Sequence, residues 1–406
     1  MSVSSVFGMG GNSVIARLLG EGKTARARNV FNFCNYAMII SGIITLIAGI
    51  VFSAPIADLL GADDINRAYT IEYLRGIFIG APFIIFANGA TNIFRSVMLI
   101  NQSTIGIALG NGINIILDYV FICVLRMGTF GAALATSIGF TAASVYYIIC
   151  ILHESRKGND IITLLPKDLN LDARMIREIV SIGIPGALVT ILMSVSNIVL
   201  NNYIAIYGSN AVASYGIAYK IGLIPVMLSV GLAQGVAPLI GYCYGAGEET
   251  RMNRTFLTAA IYGFVLGAVI TAAFLLAANP LSSLFLKDKT LIEQTAHMLR
   301  LLSLSAPTLG IINITNFYYQ ALGKAMNSLI ITILRNIALF IPCVTTLNYL
   351  LQLNGVVAAQ PVTETLLMFV CITMYTYDMK KSVRKSNTKN MINMQSIYPE
   401  ANYENA

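Results

Sequence analysis

Asn111, Asn114 and Asp118 stand three and four residues apart inside an apolar run near 104–125, so a helix sets all three on one face. Carboxylate and amide oxygens are hard ligands suited to a cation such as Na⁺, and the carboxyl group can equally take a proton. A carboxylate inside an apolar span costs ~2.5–3.5 kcal/mol on insertion scales, so it normally faces a partner or a wet cavity. Two readings stand side by side. Either these oxygens hold an ion, or Asp118 lies near the outer end of its span and caps or pairs with a loop residue such as Arg126.

A second stripe, Asn313, Asn316 and Gln320, repeats the spacing of three and four. Its counterparts one internal repeat earlier are Asn88, Thr91 and Arg95, so a cavity lined by both halves is one reading. Hydrogen bonding between helices, worth only ~0.6 kcal/mol on average, is the other. Lys220 lies well inside the long run at 211–241 and Glu364 well inside 355–377. A buried ammonium needs a carboxylate, so the two are expected to pair, as a structural lock or as a group that exchanges protons with substrate and coupling ion. Gln234, further along the same run, is expected to line the inner mouth, and Arg335 to snorkel toward the nearer interface. Tyr215, Tyr219, Phe317, Tyr318 and Tyr319 suit stacking and cation–π contact with flat organic cations, or ordinary packing. His153 and His297 lack metal-like spacing, the six cysteines sit singly, and no nucleophile–base set occurs. Neither an enzyme nor a bound metal beyond a transported ion is indicated, and no cofactor is expected.

The elements that must position these groups are membrane spans. Hydrophobic residues make up 56% of the 406 and charged residues 11%, which an ordinary soluble domain, with roughly 25% charged, cannot match. Runs of the ~20 residues needed to cross a bilayer occur near 31–53, 71–94, 104–125, 130–152, 179–207, 211–241, 253–278, 296–320, 328–350 and 355–377, after a short stub at 1–16. Alternation puts 17–30, 95–103, 153–178, 242–252, 321–327 and 378–406 on one side. Most of the 26 Lys and Arg fall there, against only Arg67, Arg126, Lys287 and Lys289 opposite. The positive-inside rule makes that side, and both termini, cytoplasmic. The net charge of +7 is therefore topological, and nucleic-acid binding is not expected.

The halves echo each other at an offset of 225 residues. Gly10, Gly20, Gly22 and Arg26 fall on Gly235, Gly245, Gly247 and Arg251; Pro55, Asp63, Arg75, Pro82, Asn88 and Asn111 fall on Pro280, Asp288, Arg300, Pro307, Asn313 and Asn336. Such repeats mark transporters with a site between the halves. The run at 179–207 has no partner in the first copy, whose front is expected to be missing. A complete repeat holds six spans, an even number, so both copies sit the same way up about an axis along the membrane normal. The expected organisation is an incomplete N-terminal lobe at 1–153, a cytoplasmic linker at 154–178, a six-span lobe at 179–378 and a disordered tail at 379–406.

Gly8-Met-Gly-Gly-Asn-Ser-Val-Ile-Ala-Arg-Leu-Leu-Gly-Glu-Gly-Lys23, Gln234-Gly-Val-Ala-Pro-Leu-Ile-Gly-Tyr-Cys-Tyr-Gly-Ala-Gly247, and Asn114-Ile-Ile-Leu-Asp-Tyr-Val-Phe-Ile122 followed by Gly131-Ala-Ala-Leu-Ala-Thr136 resemble the MATE family of multidrug and toxin extrusion transporters. With the repeat, the resemblance covers residues 7 to about 378. It implies an all-α membrane protein of two six-helix lobes related by a pseudo-two-fold axis, of which this chain holds helices three to twelve and the end of helix two. It also implies export of organic cations in exchange for Na⁺ or H⁺. In the first lobe it implies a cation site of Asn114, Asp118 and Thr136; the family's fourth member, an Asp on helix one, has no match here. The family's second-lobe carboxylate on helix seven has none either, since that stretch reads Leu192-Met-Ser-Val-Ser-Asn197.

The expected function is a cation-coupled multidrug antiporter working by alternating access, a monomer of the plasma membrane whose partners are small organic substrates and the bilayer. A lipid-linked oligosaccharide flippase of the same superfamily would call for a larger, more cationic groove than Lys220, Arg95 and Arg335 provide. A third alternative is a non-transporting remnant or accessory subunit.

Overall fold

The computed structural model describes residues 2–59, 66–164 and 172–397, with side chains through Lys380. Its elements are helical: α1 Ser2–Gly20, α2 Thr24–Val51, short α3 Ser53–Leu59, α4 Arg67–Ser96, α5 Ile100–Asp118, α6 Gly128–Arg156, α7 Ala173–Ala205, α8 Ser209–Gly245, α9 Glu249–Ser283, α10 Lys289–Ser303, α11 Ala306–Ala321, α12 Ala325–Ile333 and α13 Phe340–Ile397. π-helical turns at Tyr119–Val124 and Leu334–Ala338 extend α5 and α12. In lipid every backbone polar group must be paired within the protein, and helices do this segment by segment.

Eight of these stretches are long and apolar enough to cross a bilayer, and the pair α10–α11, bent by 43°, adds a ninth. Gln352, with φ 51° and ψ −133°, breaks α13, so the stretch Ala325–Lys380 is two spans and the total among the described residues is the expected ten. The predicted stub is a full 19-residue helix, α1. Exposed Ile43, Ile44, Ile47 and Val51 on α2, like Leu257, Ile261 and Val265 on α9, leave apolar faces that only lipid solvates without cost. The chain is a multi-pass membrane protein.

The repeat is visible in the turns. Lys23 N–H bonds Leu18 O at 2.9 Å past Gly22, and Glu248 N–H bonds Cys243 O at 2.9 Å past Gly247; the glycines have φ 72° and 74°. The turn Leu99 N–H to Phe94 O repeats as Lys324 N–H to Tyr319 O, both 2.9 Å. Each is a helix C-cap that needs a left-handed residue to satisfy carbonyls the helix leaves free. All four pairings obey the 225-residue offset, so both halves fold back at the same end of the bundle, the end carrying most of the basic residues.

Each half has its own core. The first gathers Val14, Phe31, Met38, Phe94 and Tyr147 from α1, α2, α4 and α6. The second has one cluster around Leu200, Tyr215, Leu299 and Val344 and another around Ile240, Phe256, Tyr318 and Leu367. Helix α1 lies between them, packed on α2 and α4 on one side and on α7 and α8 on the other. Helix α13 runs on through Ile397, into the stretch expected as the tail. Residues 398–406, and 165–171 of the predicted linker, lie outside the described residues.

Candidate cation and substrate sites

In the first lobe, α5 and α6 approach to backbone contact. A Cβ added to Gly139 would sit 2.6 Å from Gly110 O, and only small residues allow helices this close. That contact sets Asn114 beside Thr136, with the amide Nδ2 3.4 Å from Oγ1, while the Thr136 hydroxyl donates to Ala132 O at 3.0 Å. Asp118, one turn beyond Asn114, has a buried Oδ1 with no hydrogen-bond partner. The expected alternative partner, Arg126, makes no ion pair with it among the described residues. The α-helix gives way to the π turn directly after Asp118, a feature that recurs where helices do something other than pack. One carboxylate, one amide and one hydroxyl, all oxygen donors with one oxygen unspent, fit a hard cation or a proton. Asn111 is exposed and stands apart from this group.

In the second lobe a cavity with about 240 Å³ of interior space opens between α7, α8, α11, α12 and α13, with Ser5 and Met9 of α1 at its rim. Its walls are largely apolar and aromatic, including Met193, Tyr219, Phe317 and Phe340. One wall is a polar chain. Asn313 Nδ2 donates to Ser229 Oγ at 2.8 Å. Arg335 donates through Nη1 to Asn313 Oδ1 at 3.1 Å and through Nη2 to Glu364 Oε1 at 3.0 Å. Glu364 is 3% exposed and Arg335 23%; Gln360 and Ser305 flank the carboxylate, whose Oε2 is buried without a partner.

This corrects two expectations. Glu364 pairs with Arg335, not with Lys220. Helix α8 has 37 residues, about 55 Å at 1.5 Å per residue, well beyond the ~30 Å of hydrocarbon. Lys220 lies in its outer part and is exposed on the protein surface, away from the buried Glu364 carboxylate that Arg335 holds. Arg335 does not snorkel to the interface; it sits in the π turn Leu334–Ala338 and points into the cavity, where Glu364 and Asn313 offset its desolvation.

The remaining predicted residues divide. Asn313, Asn316, Gln320 and Gln234 line the second-lobe cavity. Ser328 bridges two of them, donating to Asn316 Oδ1 and accepting from Gln320 Nε2 at 3.0 Å. Arg95 donates to Gln234 and so ties α4 to α8 across the lobes. The Asn88 amide instead donates to Ile84 O of its own helix at 2.8 Å. A single cavity lined equally by both stripes is thus not what forms. Ser229, Ser305 and Gln360 belong to the site without having been read from the sequence, since an isolated Ser or Gln in a span carries no periodic signal.

With this geometry in hand, comparison with known proteins is informative. The sequence model of the family described as MatE matches residues 1–120 and 185–345. The multidrug export protein MepA of Staphylococcus aureus (strain NCTC 8325) is 32% identical over 366 residues, covering 90% of this chain and 80% of the relative. That of Staphylococcus haemolyticus (strain JCSC1435) is 32% identical over 372 residues, covering 92% and 81%. Among solved structures, a MATE in complex with MaD3S superposes with TM-score 0.88 at 24% identity over 95% of this chain and 85% of that one. An outward-facing multidrug resistance MATE family transporter does so with TM-score 0.88 at 23% identity over 94% and 85%.

Proposed function

The chain belongs to the MatE family, whose similar members include multidrug export proteins, and on that premise we propose that it is an antiporter exporting small organic, mainly cationic compounds in exchange for Na⁺ or H⁺. The reading takes the basic end of the bundle as cytoplasmic, both termini with it, and the plasma membrane as the site of action of a monomer. Asp118, Asn114 and Thr136 hold the coupling ion. The observation that carries this assignment is the buried, unpartnered Oδ1 of Asp118, one helical turn from Asn114, whose amide lies 3.4 Å from the Thr136 hydroxyl. A carboxylate at that depth is costly unless it is filled by a cation or a proton at some point in the cycle. Filling it neutralises the outer part of α5 and shifts the balance between the two arrangements of the lobes; a ligand moves such a balance only by binding one state better.

Transport by the purified protein in vesicles tests it. With an imposed Na⁺ or H⁺ gradient, Asp118→Asn is expected to lower gradient-driven efflux of an organic cation by roughly 5–150-fold, the range spanned by a coupling free energy of ~1–3 kcal/mol. Asn114→Ala is expected to fall between this variant and the unaltered chain. Gradient-driven efflux that survives Asp118→Asn unchanged overturns the assignment.

A further inference from the structure

The second-lobe cavity has one feature that ion coupling through Asp118 does not use. Among the described residues its wall carries a single buried carboxylate, Glu364, and that carboxylate is already occupied by a cation belonging to the chain itself. We propose that Arg335 is a tethered stand-in for the exported compound: it holds Glu364 while the cavity is empty, and an aromatic organic cation displaces it to bind the same carboxylate.

Four observations lead there. Glu364 is 3% exposed and lines the cavity, with Gln360 and Ser305 beside its carboxylate, so a cation that takes the place of Arg335 meets a carboxylate already shielded from water. Arg335, at 23% exposure, stands on the open side of the pair and can be reached and moved. It has somewhere to go, because its Nη1 is already bonded to Asn313 Oδ1 at 3.1 Å, and Asn313 is itself anchored to Ser229 Oγ at 2.8 Å. Finally, Tyr219, Phe317 and Phe340 supply aromatic walls that attract a cation on their faces.

The exchange has a physical advantage over a bare carboxylate. A buried charge left unpaired is strongly unfavourable, whereas swapping one cation for another keeps Glu364 neutralised at every stage. Among the described residues the walls hold no second acidic side chain, so the guanidinium and an incoming cation compete directly. A neutral ligand of the same shape has no reason to disturb the pair. Arg335 is thereby a specificity-determining residue. It sets a threshold that a cation must exceed, and by returning to Glu364 it hastens departure once the cavity opens to the outside.

The inference rests on the cavity belonging to the export route, but its test needs no ion gradient, so its failure and that of the Asp118 assignment are separable. Equilibrium binding of tetraphenylphosphonium to the purified protein in detergent is the measurement, with triphenylphosphine oxide as the neutral control. Arg335→Gln is expected to bind tetraphenylphosphonium about tenfold or more tightly, a factor equal to ~1.4 kcal/mol, with the neutral probe unmoved. Glu364→Gln is expected to lose cation binding and keep the neutral probe, and Arg335→Gln combined with Glu364→Gln to behave like Glu364→Gln. Because Arg335→Gln leaves a buried charge, it is purified with tetraphenylphosphonium present, and its melting temperature is expected to fall when the cation is removed. Tetraphenylphosphonium affinity that is unchanged or weaker in Arg335→Gln, or retained in Glu364→Gln, overturns the proposal.

Discussion

At the scale of single residues, Tyr147 illustrates how this protein makes polar groups safe in lipid. Its ring is fully buried in a space that only Gly106 opens, where an added Cβ would lie 2.4 Å from the ring. The hydroxyl donates to Ser103 O at 2.7 Å and meets Thr91 Oγ1 at 2.9 Å, while Ser103 Oγ donates to Thr91 O at 2.8 Å. Three helices are tied by one closed set of hydrogen bonds. Tyr147→Phe removes the central hydroxyl and strands its neighbours without water, at a cost of ~1–3 kcal/mol, so thermal unfolding in detergent should begin at lower temperature while ligand binding persists. An unaltered melting curve would mean that the set contributes nothing. The contrast with Asp118 is instructive, since there a buried oxygen is left open. Asn114 and Asp118 were legible in the sequence because residues four apart share a helical face whatever surrounds them. That Thr136 joins them came from family resemblance, and that Glu364 prefers Arg335 to Lys220 was not legible at all. Partner choice between helices depends on how each is rotated and on a π turn at Leu334–Ala338 for which composition gives no sign.

At the scale of elements, the C-cap turns show the same backbone solution reached with unequal residues. Gly323 takes φ 73°, and its repeat partner Met98 takes φ 64°. A residue with a Cβ in this region carries a penalty of roughly 1–2 kcal/mol, and Met98 recovers little of it through packing because its side chain is 47% exposed. Met98→Gly should therefore stabilise the fold by up to about 1 kcal/mol, and Gly323→Ala should destabilise it by a similar amount. The second effect is aggravated by the Arg17 guanidinium, 2.9 Å from where the Cβ would stand. Chemical denaturation in mild detergent would register both; equal effects of the same sign would refute the argument. Glycine stands at three of the four repeated turns. Met98 gives no sign of the fourth, since its residue type does not signal a left-handed backbone, whereas the break in α13 at Gln352 falls in the expected gap between the runs at 328–350 and 355–377.

At the scale of the whole molecule, the lobes meet through a contact that obeys the repeat. A Cβ on Gly20 would lie 2.1 Å from Tyr242 O, and one on Gly245 would lie 2.1 Å from Arg17 O. Residues 17 and 242, like 20 and 245, are 225 apart, so α1 and α8 present the same patch to each other and the pseudo-two-fold axis runs through the crossing. Around it, Ser13 Oγ donates to Ala321 O at 3.2 Å, Arg95 donates to Gln234, and Arg17 pairs with Glu178 at 2.9 Å. Further along α8, a Cβ added to Gly216, Gly231 or Gly235 would meet no atom of another element within 4 Å. The lobes thus touch at the basic end, and under the proposed exchange between two arrangements this seam must part. A side chain at either glycine meets backbone, which cannot rotate away. Gly20→Val and Gly245→Val should each hold the seam apart, and because they strike one shared contact the double variant should fall short of the sum. In a cysteine-free background, disulfide formation between Ser13→Cys and Ala321→Cys reports closure. Its yield should drop in either valine variant together with export, since a molecule that cannot close at this end cannot complete the cycle. Undiminished cross-linking alongside undiminished export would show that the two lobes do not part here, and the seam would have to be sought where α1 meets α7 instead.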